Sequence, residues 1–154
     1  MLNLHDIRRR SDRAATTFDE ADFVHAVTRE GLLTRLEPLL LQPTRILDHG
    51  CATGAGGRML RKRFKRAHIV SLDLSRAMLG AARKNRPWLS RMSFVQGNAR
   101  QLPFADGSFD LVATNQMLPG DPGPQAVFVE GARVLKKGGV CAFATLGPGS
   151  LRDV

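Results

Sequence analysis

The sequence predicts an α/β chain, a parallel β-sheet in strand order 3-2-1-4-5 with helices on both faces. Three observations predict it. Short apolar runs alternate with helical patterns along the chain. The stretch RILDHGCATGAGG at 45–57 runs a strand into a glycine-rich turn and straight into the helical pattern RMLRKRF at 58–64. The stretch HIVSLDLS at 68–75 ends a second strand in an acid, Asp73.

Taken in order, residues 1–18 read as an arm or irregular helix. Asp19 to Leu41 reads as an amphipathic helix, from the spacing of Phe23, Val27, Leu32, Leu33 and Leu36. Pro38 and Pro43 blur its end. The N-terminal arm and helix (1–42) thus lead into a core at 43–154 within one domain. Strand one is expected at 45–49, a helix at 56–65 and strand two at 68–73. Ser75 caps a helix to Asn85 that Pro87 ends. A third strand begins at Phe94-Val95 and ends at Gly97-Asn98-Ala99. Asp106-Gly107 then turns into a fourth at 109–114. Pro122 to Lys137 reads as a helix stopped by Lys136-Lys137-Gly138. The fifth strand, VCAFATL at 140–146, is apolar on both faces and so expected to be central or covered.

At 154 residues, 43% apolar and 24% charged, the chain is long enough for one real core and is not of disordered composition. No apolar run reaches a membrane span, and MLNLHDIRRR has no apolar secretory core. The expectation is a cytoplasmic protein with no membrane partner. Cys51 and Cys141 make neither a disulfide framework nor a metal spacing, and both read as ordinary thiols. The net charge of +9 favours acidic partners. It clusters in RMLRKRFKR at 58–66 and at Arg8, Arg9, Arg10 and Arg13. With no Tyr and one Trp to stack on bases, RNA is the less favoured partner.

The glycine turn carries the chemistry. Glycines admit positive φ and close backbone approach, and the following helix offers unpaired N–H groups. A dinucleotide fold wants G-x-G-x-x-G; here the pattern is Asp48-x-Gly50-x-Ala52-x-Gly54, with an acid at the strand end. Asp73 then stands where an acid closing the second strand grips a ribose.

This pattern resembles motif I of the class I S-adenosylmethionine-dependent methyltransferases, written D-x-G-x-G-x-G, and so implies their Rossmann-like fold. Beyond it, SDRAATTFDEA at 11–21, DGSFDLV at 106–112, ARVLKKGG from 132 and FATLGPGSLRDV at 143–154 are similar to the malonyl-acyl-carrier-protein O-methyltransferase family of biotin synthesis. The resemblance implies S-adenosylmethionine as cofactor, S-adenosylhomocysteine as product, and an acidic acyl carrier protein as partner. Asp48, Gly50 and Gly54, with Cys51 and Ala52 in the same turn, would hold the methionine end. Asp73 and Leu74 would serve the ribose, and Met78 would cover a face of the adenine. Asn98-Ala99 stands where the family has Asp-Ala, whose acid accepts from the adenine amino group. Asn115 follows strand four beside the methyl donor, Phe18 stands where relatives carry Tyr, and Arg152 is placed to meet an acyl carboxylate. The plainer alternatives are a turn-capping Asp48, a helix-capping Asp73, a core Met78 and a solvated Arg152. His49 reads as a half-buried neighbour of the turn, and His5, His25 and His68 have no partner acid at a convincing spacing.

A carboxylate acceptor needs alignment and dryness more than a base, because it is already an anion and the sulfonium is already activated. Three positions depart from the family. Ala52 replaces the middle glycine, Asn98 replaces the acid, and Gly120 falls where relatives carry Trp. Complete class I enzymes continue for a further helix and an antiparallel strand pair, so the sheet is expected to lack that pair. Strand five would then be an exposed edge open to a second copy. Two other functions stay open: a methyltransferase of another acceptor such as RNA, and a degenerate cofactor-binding or assembly module resembling respiratory complex I assembly factors.

Overall fold

In the computed structural model, residues 3–117 and 123–147 are described. Five parallel strands form one sheet in the order β3-β2-β1-β4-β5, as the sequence predicts. They are β1 (Arg45–His49), β2 (His68–Asp73), β3 (Met92–Gln96), β4 (Phe109–Asn115) and β5 (Leu135–Ala144). The helices are α1 (Leu4–Ala14), α2 (Phe23–Leu36), α3 (Ala55–Arg63), α4 (Arg76–Lys84) and α5 (Pro124–Val134).

Alternation along the central strands sorts the core into two layers. Ile46, Ile69 and Leu111 face one way and pack with Leu32 and Leu36 of α2 and Leu60 of α3. Their neighbours Leu47, Val70 and Val112 face the other way and pack with Leu102, Phe109 and Val134. Each such aliphatic side chain contributes about 1.5–3 kcal/mol on burial, so these layers hold β1 and its turn in place. Asp110 fastens the start of β1 to β4: its Oδ2 accepts from Thr44 N–H, Thr44 Oγ and Arg45 N–H.

Several boundaries differ from expectation. The first residues form a regular helix, because Asn3 caps it by accepting from the Asp6 N–H. The long helix expected from Asp19 is broken into a 3₁₀ turn at Phe18–Ala21, then α2, then a second 3₁₀ turn at Glu37–Leu39. Leu32 and Leu36 are buried as predicted, but Phe23 is 78% and Val27 56% exposed. The apolar stripe therefore reaches the sheet only in the last turns of α2. Helix α5 ends at Val134, and Lys136-Lys137-Gly138 lies inside β5 rather than at a helix stop. Leu135 adopts extended backbone and pairs with Phe109, and Gly138 takes φ +80° where the register shifts. Residues 145 and 146 lie beyond the strand. Among the described residues β5 is an edge strand, with Phe143 half exposed, rather than a central one.

Candidate active site

The carboxyl ends of β1, β2 and β4 meet where the strand order reverses, the position at which open α/β sheets bind ligands. A cleft of about 240 Å³ lies there. Of the residues singled out in the sequence, Phe18, Gly50, Ala52, Asp73, Leu74, Met78, Asn98, Ala99 and Asn115 line it. Asp48 and Cys51 line a smaller recess of about 30 Å³ that shares Phe18, Gly50, Ala52 and Asn115 with the cleft. Gly54 lines neither; at φ +88° it caps α3 and packs against Ala82. Arg152 and Gly120 lie outside the described residues.

The turn is built to bring backbone against a ligand. Gly50 takes φ +80°, and its N–H and that of Cys51 both donate to the Leu72 carbonyl. A Cβ there would stand 2.6 Å from Met117 Sδ. Ala52 also takes a left-handed φ, +46°, which costs a side-chain-bearing residue about 1–2 kcal/mol. Asp73 holds the turn in this shape. Its Oδ2 accepts from the Ala52 N–H and its Oδ1 from the Ser75 N–H, both at 2.8 Å. The side chain that caps α4 is Ser75, which accepts from the Met78 N–H, while Asp73 braces the turn ahead of it and lines the cleft. Each carboxylate oxygen keeps acceptor capacity for a further donor.

Asp48 is buried under the turn. Gly57 is glycine for that reason: a Cβ there would come within 3.0 Å of Asp48 Oδ2 and 2.9 Å of Ser71 Oγ. Desolvation pushes the Asp48 carboxyl up to about 7, and the nearby Asp73 charge adds to the rise. The Gly57 N–H, the Arg29 charge and the Ser71 hydroxyl oppose it. Burial also raises Asp73 and the Cys51 thiol, which leaves that thiol un-ionised and inert.

Elements from the N-terminal region complete the walls. Leu4, Ile7 and Ser11 of α1 line the cleft. Asp12 pins α1 to the start of α4, accepting from Ser75 Oγ and the Ala77 N–H. Asp19 accepts from Thr53 Oγ1 and ties the 3₁₀ turn to the glycine loop. Phe18 meets the His25 ring with centroids 5.1 Å apart. Met78 is a core residue, 4% exposed, that also lines the cleft wall.

Two histidines depart from the sequence reading. His49 is 1% exposed rather than half-buried; its Nε2 donates to the Ala99 carbonyl, which can only accept. Asn98 Oδ1 accepts from the Arg100 N–H at 2.9 Å and keeps its second lone pair for a further donor. His25 does have an acid beside it, since Asp22 Oδ1 lies 3.9 Å from its Nδ1. Desolvation and the Arg29 charge outweigh that acid and hold the imidazole below its usual value, so it is neutral at pH 7. Arg29, whose guanidinium is bound by the Asp22 carboxylate, lines the recess with Asp48. Sequence reading missed Asp22, His25 and Arg29, although their spacing of three and four places all three on one helix face.

Comparison with known proteins agrees with this geometry. Residues 47–143 match the family model of the methyltransferase domain. The malonyl-[acyl-carrier protein] O-methyltransferase of Halorhodospira halophila is 36% identical over 148 residues, 96% of this chain and 50% of that protein. Its counterpart in Laribacter hongkongensis is also 36% identical, over 96% of this chain and 52% of its own. The chain thus spans about half the length of these curated relatives. Among solved structures, the complex of the Haloferax volcanii Trm112 methyltransferase activator with a putative methyltransferase matches with TM-score 0.81 and 27% identity, over 90% of this chain and 60% of that one. A putative S-adenosyl-L-methionine-dependent methyltransferase of Methanococcus maripaludis shares the fold, with TM-score 0.77, 24% identity, and 87% and 63% coverage. The cofactor of this family is S-adenosylmethionine. The residues present fit it: a glycine turn that a Cβ would fill, a strand-end acid with acceptor capacity to spare, and a buried Asp48 Oδ2 without a hydrogen-bond partner. No helix among the described residues is long and apolar enough to cross a membrane.

Proposed function

The chain belongs to the methyltransferase-domain family, and from that premise we propose that it directs a methyl group from S-adenosylmethionine to the free carboxylate of a malonyl group on an acyl carrier protein, in the cytoplasm. The observation that carries this reading is that Asp73 and Asn115 line one switch-point cleft and Asp48 lines the recess that adjoins it through Asn115. The acceptor is supported by the malonyl-carrier-protein relatives, similar over nearly the whole chain. When bound, the cofactor supplies an electrophilic methyl on a sulfonium.

Asp73 would accept from the ribose hydroxyls with the lone pairs that Ala52 and Ser75 leave over. Leu74 and Met78 would bound the nucleoside, with Asn98 and Ala99 at its far edge. Gly50, Cys51, Ala52 and Gly54 would let the turn approach the methionyl chain, with Asp48 beneath. Phe18 and Asn115 would form the wall past which the acceptor comes and keep water from the reacting atoms. Arg152 would meet an acyl carboxylate. The basic surface would steer an acidic carrier protein to the cleft, with a rate that falls as salt rises.

One observation favours a second acceptor class. The neutral His25 imidazole in the cleft wall is a proton acceptor of the kind that a hydroxyl or base nitrogen, as in RNA, requires and a carboxylate does not. The test is transfer of labelled methyl to malonyl-carrier protein, acetyl-carrier protein and RNA, preceded by calorimetric titration with S-adenosylmethionine. Transfer to the malonyl form alone is expected. Transfer to RNA alone replaces the acceptor, and binding without transfer to any of the three marks a cofactor-binding module.

A further inference from the structure

Basic charge is spread unevenly along the chain. Residues 49–105 carry twelve lysines and arginines and a single acid, Asp73, which faces the cleft turn. Eight of these cations are exposed in two short stretches, 62–66 and 83–91, where α3 and α4 end and lead into β2 and β3. In a parallel sheet both stretches lie at the amino ends of the strands, opposite the cleft. They adjoin each other: Arg91 Nη1 donates to the Arg66 carbonyl at 3.4 Å, and the Arg91 carbonyl accepts from the Ile69 N–H at 2.9 Å. None of the eight forms an ion pair among the described residues. A helix C-terminus favours cations in its last turn. That accounts for the four within α3 and α4, but not for Lys65, Arg66, Arg86 and Arg91 beyond them.

Two apolar side chains stand out from this charge. The Pro87 carbonyl accepts from the Ser90 N–H at 3.2 Å, closing a turn with Trp88 and Leu89 at its tip. Trp88 is 89% and Leu89 78% exposed, so neither contributes to the core of this chain. The matching occupant is anionic over an area and takes two apolar groups from a projecting tip. A second copy would bring like charge against like charge. A carrier protein is wanted at the other end of β2, about 20 Å away along its six residues. Nucleic acid would answer the cations, but it offers Leu89 little and one Trp is a short stacking platform. A bilayer with acidic headgroups answers both, since its phosphates meet the cations and its interface is where Trp settles. We propose that the loop at 85–91 and the adjoining end of α3 dock on an anionic lipid bilayer, with Trp88 and Leu89 entering the headgroup region. The cleft then faces solution, open to its substrates. The expectation of no membrane partner concerns spanning segments, and a surface contact needs none. The inference is independent of which acceptor the cleft serves.

Trp88 is the chain's single tryptophan, so its fluorescence reports the contact directly. Wild type is titrated with phosphatidylcholine vesicles, with and without phosphatidylglycerol. A blue shift of Trp88 emission is expected with the phosphatidylglycerol vesicles alone, and it reverses as salt is raised. Co-sedimentation then compares variants at exposed positions, each checked for folding by circular dichroism. Lys84→Glu with Arg86→Glu should weaken binding to the anionic vesicles at least about tenfold, and Trp88→Ala with Leu89→Ala should do the same. Arg9→Glu with Arg10→Glu, an equal change of charge on α1 at the cleft end, should weaken it less than about twofold. Emission that stays unshifted with anionic vesicles overturns the proposal even if the protein sediments, because charge alone then explains the binding. Equal losses in the two charge variants overturn it as well. So does a shift given by RNA or by an acyl carrier protein but not by vesicles, which assigns the patch to that partner.

Discussion

Replacing Asp48 by asparagine is expected to stabilise the cofactor-free protein at pH 7 and to weaken its hold on the cofactor. Asp48 is 6% exposed and its carboxyl is pushed from the ordinary 3.8 up to about 7, chiefly by desolvation. The folded protein therefore keeps a proton that the unfolded chain releases near 3.8. Stability from this group is greatest at the acid end of that window and falls as pH rises toward 7. The gap between 3.8 and about 7 corresponds to about 4 kcal/mol, of which a neutral asparagine should recover about 2–4. The new amide has the Ser71 hydroxyl, which already faces the Asp48 carboxylate, as a partner. For a domain of this size that gain raises Tm by about 5–15 °C. The assay is thermal or urea unfolding of both proteins from pH 5 to 8. Wild type should lose stability across that range, and Asp48→Asn should show a flatter profile and the higher midpoint at pH 7. Parallel profiles, or a variant less stable at pH 7, would refute the argument that an uncompensated carboxylate is held under the turn. Asp110 acts with opposite sign in another window. Held down to about 2 by the Arg45 and Thr44 donors against its partial burial, it gives stability that is lost as pH falls below 3.8 toward 2.

Two further substitutions probe the turn. Asp73→Asn keeps one acceptor but turns an amino group on either the Ala52 or the Ser75 N–H. It should cost about 1–3 kcal/mol in urea unfolding and lower cofactor affinity at least about tenfold by calorimetry. Ala52→Gly relieves a residue held at φ +46°. The net gain is about 1 kcal/mol, or about 2–4 °C in Tm, and an unchanged or lower midpoint would show that Ala52 is not strained.

The fold was legible in the sequence because its signals are local. The short apolar runs of β1, β2 and β4, the glycine turn at 50–57 and the Ser75 cap each sit within a few residues, and strands alternating with helices imply a parallel sheet with right-handed crossovers. Asp48, Gly50 and Asp73 could be found for the same reason, since an acid at a strand end beside a glycine turn has only one place to be. Sequence patterning failed where neighbours in space outvoted neighbours in the chain. Phe23 and Val27 fit a helical stripe, yet α2 meets the sheet only near Leu32 and Leu36. Lys136 and Lys137 look like a helix end, yet pairing of Leu135 with Phe109 draws them into β5. His25, Arg29 and Asp22 carried no motif, and only packing of α2 against the ends of β1 and β4 sets them beside Asp48 and Asn115. The sequence by itself determined the sheet, its order and the cofactor turn, because chain-local geometry dictates them. The tertiary structure alone decided which buried charges share a recess, because burial and proximity across dozens of residues are what shift a carboxyl to about 7.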